Sequence, residues 1–148
     1  MKNILILLSN IAIILLLNNG CKSSTEPTEN TVSIITQNNS YSRTSAETVI
    51  INLTNNSSSQ VFLPIDSTFV LEKKEGDNWI TDIWTLHRVG IKNYYPLFPN
   101  IPHQEEMAPG FLPSEGTYRF KFYIYKDSSL TELLPENILY SNSFEATE

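Results

Sequence analysis

The chain has 148 residues, with 10 Lys and Arg against 16 Asp and Glu and a formal net charge of −6. That balance argues against nucleic acid or an anionic lipid surface as partner, because both are recognised through positive charge. A single cysteine permits no internal disulfide, so a hydrophobic core must hold the fold unaided, which is feasible because domains of about 150 residues bury about 68–70% of their unfolded surface.

The first element, residues 1–20, reads as an export signal. Lys2 and the amino terminus supply a basic start, and an apolar run from Ile4 to Leu17 is interrupted only by Ser9 and Asn10. That run of 14 residues is short of the ~20 needed to cross a bilayer as a helix. Gly20-Cys21 follows, and here the chain resembles bacterial lipoproteins, whose signal ends in a small residue before an invariant cysteine. Asn18 and Asn19 stand where that family usually has Leu and a small residue. The resemblance implies cleavage before Cys21 and acylation of Cys21 by a diacylglyceryl thioether and an amide-linked, palmitate-type chain. It also implies a membrane anchor, since two or more lipid signals give stable attachment. Lys22, in place of the Asp that retains such proteins at the inner membrane, implies sorting to the outer membrane of the bacterial cell envelope. Removing 20 of the 148 residues leaves 128, and losing Lys2 takes the net charge from −6 to −7. Residues 21–30 read as a polar tether: nine flexible residues from Lys22 to Asn30 span about 17 Å and offer no side chain to a core.

From residue 31 to 148 the periodicity is that of strands. Val49, Ile51 and Leu53 alternate with Ile50 and Asn52, and the turn formers Asn55, Asn56, Ser57, Ser58 and Ser59 end the run. Val61-Phe62-Leu63 is a short apolar strand. Phe69 to Lys74 and Trp79-Ile80 flank a Gly-containing turn, which predicts a hairpin. Between Trp84 and Pro113 five prolines stand among Tyr94, Tyr95, Phe98 and Phe111, and this density predicts a long connection across one end or edge of the fold. Tyr118, Phe120, Phe122 and Ile124 then occupy one face of a strand, Leu130 to Leu134 suggests one helical turn, and Ile138 to Tyr140 with Phe144 suggests a last strand. No stretch of a dozen residues carries a capped, 3.6-residue apolar period.

Seven or eight short strands with turn signals between them predict an all-β antiparallel sandwich. The stretches Glu47 to Asn56, Phe69 to Trp79, Leu112 to Phe120 and Tyr140 to Phe144 resemble the bacterial immunoglobulin-like domains often attached to lipoproteins. The resemblance implies an immunoglobulin-like β-sandwich over 31–148, in which Tyr118, shortly after Gly116, takes the part of a tyrosine corner.

The chemistry-bearing residues are few. His87 and His103 have no Ser, Cys or Asp beside them in a hydrolase pattern, and His103-Gln104-Glu105-Glu106 lacks both the His-Glu-x-x-His spacing and a third ligand, so neither catalytic nor metal-binding residues are assigned. No phosphate loop, dinucleotide fingerprint or other cofactor motif is present. The Asn-x-Ser/Thr triplets at Asn38, Asn52, Asn55 and Asn56 match eukaryotic acceptor sites that a bacterial lipoprotein does not normally meet. Tyr94, Tyr95 and Phe98 are the candidate partner-binding residues, because loops on rigid scaffolds collect binding residues and tyrosine offers contact area with a polar tip. The alternative, and the simpler reading, is that the same rings pack down on the sandwich and close its core. The expectation is a non-enzymatic, lipid-anchored binding or structural module that contacts an envelope protein or glycan. A loop-presenting proteinase inhibitor is the alternative.

Overall fold

The structure, a computed structural model, describes residues 32–65, 68–85 and 93–148, without the side chains of 82–85. The signal, Cys21, the tether and His87 lie outside the described residues. Ten strands run through what is described: β1 (Val32–Thr36), β2 (Ser40–Ser42), β3 (Val49–Asn55), β4 (Val61–Pro64), β5 (Phe69–Glu75), β6 (Asn78–Thr85), β7 (Tyr94–Leu97), β8 (His103–Met107), β9 (Gly116–Phe122) and β10 (Phe144–Thr147).

They form three sheets. One has the order β1-β3-β8, a second β2-β10-β9-β5-β6, and β4 pairs with β7 in a third. All pairings are antiparallel except that of β2 with β10. The alternation in β3 and β9 decides which face is inward, because side chains two apart share a face. Val49, Ile51 and Leu53 on β3 are fully buried, as are Tyr118, Phe120, Phe122 and Ile124 along and beyond β9. With Val32, Ile34, Met107, Phe69, Leu71 and Phe144 they form one hydrophobic cluster, so the two larger sheets meet in a shared core with the layered logic of a β-sandwich. Phe69, Phe120 and Phe144 pack there with ring centroids 5.1–5.3 Å apart.

The crossing between the two large sheets takes three residues. β1 ends at Thr36 and β2 begins at Ser40, yet β1 pairs with β3 and β2 with β10. Asn142 secures this crossing from the far end of the chain. Its Oδ1 accepts from the Thr36 amide at 2.8 Å, and its Nδ2 donates to Thr36 Oγ1 at 2.8 Å.

Three expectations change. The Pro-rich stretch after Trp84 is not one long loop: residues 94–97 pair with β4 and residues 103–107 pair with β3. Pro96 is accommodated because its sheet has only two strands, so the missing N–H interrupts no central ladder. Leu130 to Leu134 form no helical turn; Leu130 takes a φ of 57°, and Asp127 organises the loop by accepting from the Glu132 amide at 2.7 Å. Finally, Glu136–Ile138 is a 3-10 turn, Tyr140 makes only an isolated bridge to Lys121, and the last strand is Phe144–Thr147.

Candidate functional site

Two groups of aromatic and polar side chains stand out on the surface, and they differ in how far their contacts are already satisfied. The first surrounds the turn between β7 and β8. Alternation along β7 sends Tyr94 and Tyr95 to opposite faces. Tyr94 is half-buried and meets the Phe62 ring edge-on, centroids 5.3 Å apart. Tyr95 is 44% exposed, and its ring lies over His103 at 4.5 Å. Phe98 is 49% exposed, and Ile101 is 58% exposed on the same turn. Of the three residues expected at a contact surface, then, Tyr95 and Phe98 face outward while Tyr94 closes the packing beneath them. Ile101 belongs with the exposed pair, and an isoleucine set between Asn100 and Pro102 in a chain turn was the signal for it.

This turn is held rigidly by Asn55, which is fully buried at the end of β3. Its backbone oxygen accepts from the Asn100 amide at 2.7 Å. Its side-chain Nδ2 donates to Leu97 O at 3.0 Å and Ser59 O at 2.8 Å, while Oδ1 accepts from Ser57 N and Ser57 Oγ. A buried amide with all its bonding capacity used fixes geometry as well as adding stability. Asn100 itself takes φ 57°, a left-handed conformation that Asn tolerates better than most residues.

His103 and Glu105 also come together: His103 Nε2 lies 2.7 Å from Glu105 Oε1, with the carboxylate buried in line with Ile51. Glu106 points the other way, as its place on the strand requires, and accepts from Gln104 Nε2 at 2.8 Å. Among the described residues no three His, Cys, Asp or Glu side chains converge as a metal set would require.

The second group lies on the outer face of the five-stranded sheet and has no counterpart in the sequence reading. Arg119 on β9 sits directly across from Glu72 on β5, and its Nε and Nη2 both reach Glu72 Oε2 at 2.7 Å. The guanidinium is stacked between two rings, 4.2 Å from the Trp79 centroid and 3.7 Å from that of Tyr140. Lys121, one step along the same face, pairs with Glu136 at 2.7 Å, and Tyr140 Oη donates to the same Glu136 oxygen at 2.7 Å. These bonds raise the Lys121 pKa to about 12 and hold Glu136 below its ordinary value, the Lys121 hydrogen bond being the largest cause. Burial, followed by the bond to Glu136, raises Tyr140. Every charge in this group has a partner, and the Arg119 guanidinium covers one face of each ring.

Beneath that sheet, one residue before Arg119 on β9, Tyr118 Oη donates to Ser114 O at 3.0 Å, closing the turn into β9. Lys73 Nζ donates to Ser114 Oγ at 2.6 Å and lies over the Tyr118 ring. Gly116 makes this close packing feasible, since its φ is 140° and an added Cβ would meet Lys73 Cε at 2.9 Å. A shallow open depression nearby is lined by Lys73, Glu75, Ile80 and Thr81.

No protein-family model matches the chain, and no curated protein matches it. Among solved structures it is similar to the crystal structure of Spo0M, a sporulation control protein from Bacillus subtilis, at a TM-score of 0.37 and 12% sequence identity. The similarity covers 81% of this chain and 50% of that one, so the chain spans about half the length of the structure it matches.

Proposed function

We propose that this chain is a non-enzymatic module of the bacterial cell envelope, held at the outer membrane by lipid on Cys21, and that it works by contact with another envelope component, a protein or a glycan. The observation that carries this reading is the exposed apolar group Tyr95, Phe98 and Ile101 on a turn fixed by buried Asn55. Large apolar side chains grouped in this way on a rigid frame mark a contact surface, whereas isolated ones do not.

The proposal includes an immunoglobulin-like fold. In support, β1, β3 and β8 correspond to strands A, B and E of one sheet, and β5, β6, β9 and β10 to C, C′, F and G of the other. Tyr118 near the start of β9 bonds back to the backbone four residues upstream, as a tyrosine corner does.

Crosslinking in intact cells followed by capture tests the reading, comparing the native chain with Cys21→Ser and with the pair Tyr95→Ala and Phe98→Ala. The native chain is expected in the membrane fraction with defined crosslinked neighbours, Cys21→Ser in the soluble fraction, and the paired variant at the membrane without those neighbours. A Cys21→Ser protein that stays with membranes contradicts the anchor, and unchanged crosslinks in the paired variant contradict the contact surface.

A further inference from the structure

We infer that Tyr95, Phe98 and Ile101 also rest on the surface of the bilayer that carries the anchor, so that this turn sets the orientation in which the domain meets its protein or glycan partner. The inference rests on the proposed acylation of Cys21 and goes beyond it.

Position is the first argument. Val32, where the described domain begins, lies opposite Asn55 in the β1–β3 register. Asn55 in turn binds Asn100 through its backbone and Leu97 through its side chain. The chain therefore enters the domain at the end that bears the exposed turn. Cys21 precedes Val32 by eleven residues, which reach at most about 40 Å when extended and about 18 Å as a flexible chain. The tether therefore joins the domain at the end that bears the turn, which makes that end the nearest to the anchor.

Charge is the second argument. In a chain with 16 acidic residues, residues 48–65 and 93–102 contain no Asp, Glu, Lys or Arg. Those two stretches supply β3, β4, β7 and the turns beside the patch. At the opposite end the β5–β6 turn carries Lys74, Glu75 and Asp77, all exposed, and Glu115 lies close by in the turn into β9. An acidic protein is repelled by an anionic surface, but two uncharged stretches with exposed Tyr, Phe and Ile match the interfacial zone of a bilayer, where aromatic rings settle and apolar side chains reach toward the acyl boundary. The exposed charges Lys126 and Glu132, on the loop that follows the Phe62–Tyr125 bridge, pair with each other. A lipid surface needs only a tip, because the anchor already holds the domain in place.

The test uses the full chain, acylated and reconstituted in phosphatidylcholine vesicles. With Cys21 acylated, Ile101→Cys provides a single free thiol for an environment-sensitive fluorophore, and Asp77→Cys at the opposite end serves as the reference. The expected result is blue-shifted emission and several-fold stronger quenching by brominated acyl chains at position 101 than at 77, with little dependence on salt. Adding Tyr95→Ala and Phe98→Ala should reduce the quenching at 101 at least two-fold, which separates insertion of the turn from insertion of the dye. Equal, water-like emission at both positions overturns the inference. So does quenching at 101 that appears only after envelope proteins are added, which would make the contact with the bilayer depend on a protein. Mass spectrometry of the same sample separates the two failures: acyl mass with a water-exposed label defeats only the bilayer contact, whereas missing acyl mass defeats the anchor and this inference together.

Discussion

Trp79 and Tyr140 on one side of the molecule, and Tyr95 and Phe98 on the other, are similar residues in opposite situations. Between Trp79 and Tyr140 the Arg119 guanidinium covers one face of each ring, and Glu72 neutralises the guanidinium in turn. Around Tyr95 and Phe98 there is no charge from residue 93 to 102, and both side chains remain more than two-fifths exposed. The first arrangement is complete in itself and contributes to folding; the second leaves apolar area uncovered on a frame stiff enough to hold it out. Surface aromatics therefore have to be sorted by what already covers them before any is assigned to binding.

Substitutions should separate the two regions sharply. Arg119→Ala leaves the Glu72 carboxylate, whose side chain is 7% exposed, without its partner and removes the cation from both rings. A loss of about 3 kcal/mol is expected in urea denaturation. Phe98→Ala, by contrast, should change stability by no more than about 0.5 kcal/mol. If the two losses proved equal, the distinction between a structural and a contact region would fail.

Tyr118→Phe removes one hydroxyl from the turn before β9 and should cost about 1 kcal/mol, read from the same denaturation curves. An unchanged midpoint would mean that the corner bond does no more than accompany the burial of the ring.

The smallest effect is electrostatic. Glu136 has a folded pKa below its ordinary 4.5, so its stabilisation is present above pH 4.5 and is lost as pH falls through the lower, folded value. Lys121 is raised from 10.5 to about 12, so its share is present below pH 10.5 and fades as pH rises through about 12. Glu136→Gln should flatten both limbs of a plot of denaturation midpoint against pH, while Phe98→Ala leaves the shape unaltered. The groups are exposed enough that the change at neutral pH should be slight.

How far these regions were legible from sequence follows from their physics. Alternation exposes a half-buried strand directly, and Val49-Ile51-Leu53 and Tyr118-Phe120-Phe122 are read correctly for that reason. The hairpin around Gly76 is local and equally plain. β7 and β8 are hidden, the one by Pro96 and the other because His103, Gln104, Glu105 and Glu106 look like a solvated loop. Only pairing with β3 shows that Glu105 turns inward. The stack on Arg119 is invisible for a related reason. Trp79, Arg119 and Tyr140 lie far apart in the chain; the register of β5 with β6 and β9 brings the first two together, and the bridge from Tyr140 to Lys121 adds the third. Tyr95 and Phe98 could be nominated from composition, but separating Tyr95 from Tyr94 required knowing which way the strand faced.

The parallel pairing of β2 with β10 has a consequence for the order of events in a newly made chain. Ser40, Tyr41 and Ser42 find their ladder only on Glu145, Ala146 and Thr147, roughly a hundred residues later. The second strand to emerge must therefore wait for the last before that edge of the five-stranded sheet can form. Contacts of such long sequence separation slow folding, and here they keep the sheet unfinished until the chain is nearly whole. Under the export proposed above, a built-in delay of this kind keeps the chain translocatable until its last strand is made.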